Sequence, residues 1–136
     1  INFDGVAGEP EGYFPVEIKV ATYRGIKHYN PTKAIFNEFE GFQEPQKDVT
    51  KNNLSIESKA AHYGIPVYYY TQLQQQMFGT GAMTGLLSVL FVLYWTVHTF
   101  LVHRDDRVIT ELIVKGFQAW KQVVALNPER EIIYES

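Results

Sequence analysis

Cysteine is absent from all 136 residues. Its absence excludes disulfides, zinc–thiolate sites and thiol-ligated iron–sulfur clusters, and it fits a reducing compartment. An excess of positive charge is missing too. Twelve Lys and Arg stand against fifteen Asp and Glu, a net charge of −3. No global field therefore draws in an acidic polymer, and any contact with one must be local or carried by bound cations. No internal repeat, low-complexity linker or composition break divides the chain, which at this length is one domain able to bury a core without staples. No basic stretch followed by an apolar one opens the sequence at Ile1, so no secretory leader is expected. Nine Tyr and nine Phe exceed what a disordered chain carries.

What the chain does have is a long uncharged run at residues 78–102, "FGTGAMTGLLSVLFVLYWTVHTFLV". Its length alone permits a membrane span. Its second part is rich in Val, Phe, Tyr, Trp and Thr, which favour strands, and Gly79, Gly81 and Gly85 break its front. His98 would sit deep in a bilayer, and Arg104, Asp105, Asp106 and Arg107 close the run with balanced charge. The expectation is two buried strands, about 87–93 and 97–103, joined at 94–96, with the membrane span as the alternative.

Around this run the pattern gives a strand near 1–6, a turn at "AGEPEG" and a strand at 13–21, a hairpin with a longish loop. A mixed polar insert follows at 23–65. Within it "NPTKAIFNEFEGF" has a helix start signal, Asn30 as cap and Pro31 in the first turn. "DVTKNNLSIESKAAHYG" reads as a further helix stopped by Gly64. "PVYYYTQLQQQMFG" is a helix ending at Gly79, with Tyr68, Gln72, Gln75 and Gly79 on one face and Tyr69, Leu73 and Met77 as an apolar stripe. Residues 105–126 form an amphipathic helix capped by Asp105 or Asp106, with Ile109, Leu112, Ile113, Gly116, Phe117, Trp120 and Val124 as its buried stripe. The tail turns at Pro128 and adds a short strand, "EIIYE". The fold class expected is α/β, a central mixed sheet flanked by helices.

Chemistry-bearing residues are few. "GTGAMTG" lacks the Gly-Lys-Ser/Thr ending of a phosphate loop and follows a helix, so it reads as a helix stop. The four His (28, 62, 98, 103) show no metal-ligand spacing, and Ser55 and Ser58 lack a nucleophile elbow. Arg24, Lys27, Lys33 and Lys59 in the insert are either a contact for DNA or a partner, or a solvated face.

The remaining constellation centres on "PVEIKV". As a strand it puts Val16, Ile18 and Val20 on one face and Glu17 and Lys19 on the other. That is either a half-exposed strand with an ion pair on its wet side, or a metal-dependent hydrolytic site. For the second, a metal needs hard oxygen ligands that converge. Asp4, at the end of one strand, and Glu17, on the next, would supply them. The ion would lower the pKa of a water and stabilise charge on phosphate oxygens. Lys19 would orient that water or neutralise the pentacovalent charge. Gln72 would hydrogen-bond the water.

With "NFDGVAG", "FPVEIKV", "GIPVYYYTQLQQQMFGTG" and "LVHRDDRVITELI" in this order, the sequence resembles the PD-(D/E)XK nuclease superfamily, in particular its lambda-exonuclease-like or YqaJ-type viral recombinase family. The resemblance spans residues 4 to about 124 and is most specific in the Gln-bearing helix. It implies a restriction-endonuclease-like core with Asp4, Glu17 and the Ile18 backbone carbonyl as metal ligands, Lys19 as catalytic lysine and Gln72 as supporting glutamine. The implied cofactor is Mg²⁺, with Mn²⁺ as substitute. The implied activity is hydrolysis of DNA phosphodiesters, as a duplex-DNA exonuclease in phage-type recombination. Partners would be double-stranded DNA, a single-strand annealing protein and further copies of the chain, since some relatives form ring-shaped trimers. The setting would be the cytoplasm of a bacterial or phage-infected cell. Relatives open with a helical region that adds an acidic residue and DNA-end contacts. None stands before Ile1, so 1–136 is expected to be a nuclease core without that part. A restriction-like or repair endonuclease, and a non-catalytic DNA-binding or assembly module, remain alternatives on the same fold.

Overall fold

The computed structural model describes residues 5–9 and 12–126, with side chains from Tyr13 onward. Strands β1 (Gly5–Glu9) and β2 (Gly12–Ala21) form an antiparallel hairpin in which Glu9 pairs with Gly12. The first strand thus runs further than the sequence suggested, and the connection is short. Asp4 and the tail strand "EIIYE" lie outside the described residues.

The insert departs most from expectation. Asn30 does cap a helical turn, accepting from Thr32 N–H at 3.2 Å with Pro31 inside it, but the 3-10 turn ends at Lys33. The chain then forms a small hairpin, β3 (Phe36–Asn37) and β4 (Gly41–Phe42), in place of a helix. Ile35 and Phe36 find pairing on the neighbouring sheet edge, and Gly41 supplies a φ of 72° for the return. β-Branched and aromatic residues beside an open edge gain more as strand than as helix. Helix α1 (Ile56–Tyr63) starts late, because Ser55 is its cap, accepting from Ser58 N–H at 3.1 Å. Gly64 stops it in the left-handed region at φ 80°.

A Cβ at Gly64 would meet Lys33 Cβ at 2.7 Å and Asn30 O at 2.8 Å. The left-handed conformation alone costs an L side chain about 1–2 kcal/mol. Gly64→Ala should therefore lower the free energy of urea unfolding by at least about 2 kcal/mol.

Helix α2 (Val67–Thr80) follows, and its stop is Gly81 at φ 75° rather than Gly79. Strands β5 (Thr84–Phe91) and β6 (Thr96–His103) then form the predicted apolar hairpin, a few residues earlier than the pattern placed it. Among the described residues no helix is long and apolar enough to cross a membrane. Helix α3 (Asp106–Leu126) closes the described chain.

The six strands lie in the order β1-β2-β5-β6-β3-β4. β2 and β5 are parallel and every other pair is antiparallel, so the sheet is mixed and the architecture α/β. The core lies where α1 and α2 cover one face. Leu87, Val89 and Phe91 of β5 and Phe100 and Val102 of β6 bury there against Tyr63, Tyr70, Leu73 and Met77. His98 joins them, stacked on Phe91 at 4.4 Å between ring centroids.

The described helices pack on one face of the mixed sheet, and one expectation, the buried stripe of the helix at 105–126, fails on burial. Residues of opposite parity point away from them, and Ile18 and Val20 are 61% and 60% exposed. In α3, Val108 and Ile109 bury and Leu112 packs in part, while Ile113 and Phe117 are exposed. Only the first turns of α3 lie on α2. Period 3.6 locates an apolar stripe but not what, if anything, lies beneath it.

Candidate active site

β2 carries its polar residues inward. Pro15, Glu17 and Ala21 are buried, while Ile18 and Val20 look out, the reverse of a wet face carrying an ion pair. The cause is α2, which packs over β2 with Gln72 and Gln76 toward the strand. In the parallel register Glu17 lies beside Leu87 and Lys19 beside Val89, both fully buried. The charged pair therefore sits on the roofed side of the sheet.

Glu17 is 2% exposed, and each carboxylate oxygen is engaged. Lys19 Nζ lies 2.9 Å from Oε1. Gln72 Nε2 donates to Oε1 at 3.0 Å, and Gln76 Nε2 donates to Oε2 at 3.1 Å. Lys19 keeps part of its side chain in solvent and sits 5.3 Å from the ring centroid of Tyr69, a cation–π contact. Burying a carboxylate costs several kcal/mol unless donors surround it. An apolar residue would fill this position on a covered face at less cost. The charge is kept against the fold's own interest, the pattern typical of functional sites.

Of the sequence-predicted residues, the structure thus brings together Glu17, Lys19 and Gln72. Gln76 and Tyr69 complete the group and were missed. The signal for Gln76 was available, since Gln72 and Gln76 stand one helical turn apart and both reach the same strand. Gln75, placed on the face of Gln72, is exposed instead.

The donor set fits a hard divalent cation in kind. Glu17 offers a carboxylate, the Ile18 carbonyl is adjacent, and Gln72 Oε1 is a buried oxygen with no hydrogen-bond partner among the described residues. Unsatisfied buried oxygens are uncommon, and such an atom beside a carboxylate suits an ion or an ordered water. Magnesium keeps several waters and takes one or two carboxylates. A zinc-like cluster is not offered, since among the described residues no group of three or more His, Cys, Asp or Glu converges.

Other candidates resolve into structure. Lys59 makes a buried ion pair with Asp105 at 2.6 Å, which removes it from any DNA contact. Ser55 and Ser58 bond each other at the start of α1. His62 Nε2 bonds the Lys47 carbonyl at 2.7 Å. Gly81 and Thr80, whose hydroxyl donates to Gln76 O, end α2 and form no phosphate cradle. An apolar groove of about 450 Å³ lined by Phe14, Phe36, Phe42, Leu86 and Leu101 lies on the opposite face of the sheet from Glu17.

No protein-family model, curated protein or solved structure matches the chain.

Proposed function

We propose that the chain is a metal-dependent DNA nuclease of the PD-(D/E)XK type, a restriction-endonuclease-like core acting as an exonuclease on duplex ends in phage-type recombination. One observation carries the reading. A Glu-x-Lys pair is held on the covered face of a strand, with two glutamines from one helix fixing both oxygens of the buried carboxylate. Gln76 and Gln72 fix the orientation of Glu17. Lys19, partly in solvent, has its ammonium placed to neutralise charge growing on a phosphate oxygen or to orient the attacking water. Gln72 Oε1, with no donor of its own, accepts a hydrogen bond from that water. Glu17 and the Ile18 carbonyl would hold Mg²⁺ or Mn²⁺, together with Asp4, as the family resemblance suggests. The ion supplies Lewis acidity, lowering the pKa of a water and stabilising phosphate charge. A single-strand annealing protein and further copies of the chain are the partners such an enzyme would take, in the cytoplasm.

The test is degradation of linear and circular duplex DNA with and without Mg²⁺. Digestion of linear DNA alone is the expected result. Cutting of both forms would make the protein an endonuclease on the same site. Cutting of neither by folded protein would overturn the catalytic reading.

A further inference from the structure

The end of β2 nearest Lys19 carries two turns that the site does not use. After Ala21 the chain turns tightly, with Thr22 O accepting from Gly25 N–H at 2.9 Å and Ile26 N–H at 3.1 Å. Tyr23 and Arg24 are at its tip, both exposed. Beside it is the β5–β6 connection, where Phe91 O accepts from Tyr94 N–H at 3.2 Å and Val92 O from Trp95 N–H at 3.4 Å. Val92 N–H donates to Ala21 O at 3.1 Å, fastening the two turns side by side. Tyr94 and Trp95 are exposed as well, Trp95 by 71%.

Trp95 has a φ of 52°, the one non-glycine residue with positive φ among those described. Gly or Asn takes this conformation at least cost, and a bulky side chain there is a genuine outlier. Burial does not compensate, since the indole is mostly in water. Neither local propensity nor packing explains tryptophan at this position, and strain of this kind collects at functional surfaces.

We propose that these paired turns form a stacking platform for unpaired bases of single-stranded DNA, the strand that enters or leaves the Glu17–Lys19 site. This rests on the nuclease reading and names the form of substrate the site handles. Tyr23 is four residues beyond Lys19 on the same path, at most about 13 Å at strand rise. Aromatic faces take any unpaired base, while neighbouring cations follow the backbone. Arg24 and the exposed Lys27 supply such cations on the β2 side. The nearby acids, Glu38 and Glu40, lie across β6 on the other side, and Glu38 Oε1 is engaged by Val97 N–H at 3.1 Å. Stacked bases inside a duplex present no free face, so the platform separates unpaired from paired strands.

The experiment uses the full chain with Trp120→Phe, which leaves Trp95 as its sole tryptophan. A twelve-nucleotide oligothymidylate is titrated in EDTA, beside an abasic oligomer of equal length. The expected result is quenching of Trp95 by the thymidylate only. Read by the anisotropy of a fluorescein-labelled thymidylate, a signal that needs no tryptophan, affinity should weaken about tenfold in Tyr94→Ala and in Trp95→Gly, the scale of one lost base stack. Trp95→Gly should also raise Tm, because glycine relieves the strained turn, so its weaker binding would not reflect misfolding. Equal affinity for the abasic oligomer, or affinity moved less than about twofold by both variants, overturns the platform and leaves the patch to a protein partner. Because binding is read without metal, the two readings fail separately. A native chain that binds with quenching but never cleaves supports the platform and overturns the nuclease. A chain that cleaves while both variants bind unchanged overturns the platform alone.

Discussion

Asp105→Ala should remove about 3–5 kcal/mol from the free energy of urea unfolding, a large share of the 5–15 kcal/mol that holds a domain together. Asp105 is almost wholly buried and has three jobs. Its Oδ2 pairs with Lys59 Nζ at 2.6 Å, and Lys59 is itself buried. Its Oδ1 accepts from Arg107 N–H at 3.1 Å and Val108 N–H at 3.2 Å, capping α3. Its own N–H donates to Gln74 Oε1 at 2.8 Å, while Gln74 Nε2 donates to His103 O at 2.9 Å. The carboxylate thereby joins α1 to α3, while the backbone N–H, which alanine keeps, ties the residue to α2 and through Gln74 to β6. Alanine removes the cap, about 1 kcal/mol, and leaves an ammonium buried without its counter-charge, which is the larger loss. The Lys59→Met/Asp105→Ala double variant should recover part of the stability of Asp105→Ala, since no unpaired charge then remains. A double variant as unstable as the sum of the single ones would show that the pair is not coupled.

Glu17→Ala should behave in the opposite way, with a large effect on cleavage and a moderate one on stability. The carboxylate is the common acceptor of Lys19, Gln72 and Gln76. Without it Lys19 loses its anchor and the principal oxygen for a cation is gone. Cleavage in Mg²⁺ should drop by at least about 10²–10³-fold, the scale of losing one preorganised electrostatic group. Stability should fall by about 1–3 kcal/mol, the cost of leaving the buried glutamine donors unsatisfied. Lys19 can turn its partly exposed ammonium to water, so it does not repeat the penalty of Lys59. Single-turnover rates on an end-labelled duplex and urea midpoints of the same preparations separate the two effects. Native-like cleavage by Glu17→Ala would remove this residue from the site.

The contrast between the two carboxylates marks what the sequence disclosed. The cap was legible as Asp105 or Asp106, because a capping residue and its helix are neighbours in the chain, and the structure selects Asp105. Its pairing with Lys59 was not, since the two stand forty-six positions apart with three elements between them. Segments were legible in kind where the pattern was strong, as in the helix from Pro66, which stops at Gly81 and not at Gly79, and in the two strands expected at about 87–93 and 97–103 and found at 84–91 and 96–103. The helix expected after Asn30 was not, because its start signals were genuine for one turn while an edge of the sheet competed for Ile35 and Phe36. The inner face of β2 was also hidden. Alternation shows that Glu17 and Lys19 share a side, but not that a helix would roof that side and leave Ile18 and Val20 in water. The same limit applied to α3, whose stripe implies a covering layer that the described residues do not supply beyond Leu112. Gln72 was read from the Gln-bearing helix. Gln76, one turn further, needed the depth of the helix over the strand to be seen.

The most direct test of the central claim is the rate at which Lys19→Met digests end-labelled linear duplex in Mg²⁺, measured under single-turnover conditions beside the native chain. Methionine keeps most of the length and apolar stem of lysine, and Glu17 retains both glutamine donors. The fold should therefore persist, shown by an unchanged far-UV spectrum and a cooperative thermal transition. The rate should fall at least about 100-fold with that fold intact. A folded Lys19→Met that cuts within about twofold of the native rate, when Lys19 should be worth orders of magnitude, would contradict it. Glu17 and Lys19 would then be an ion pair of the sheet and nothing more.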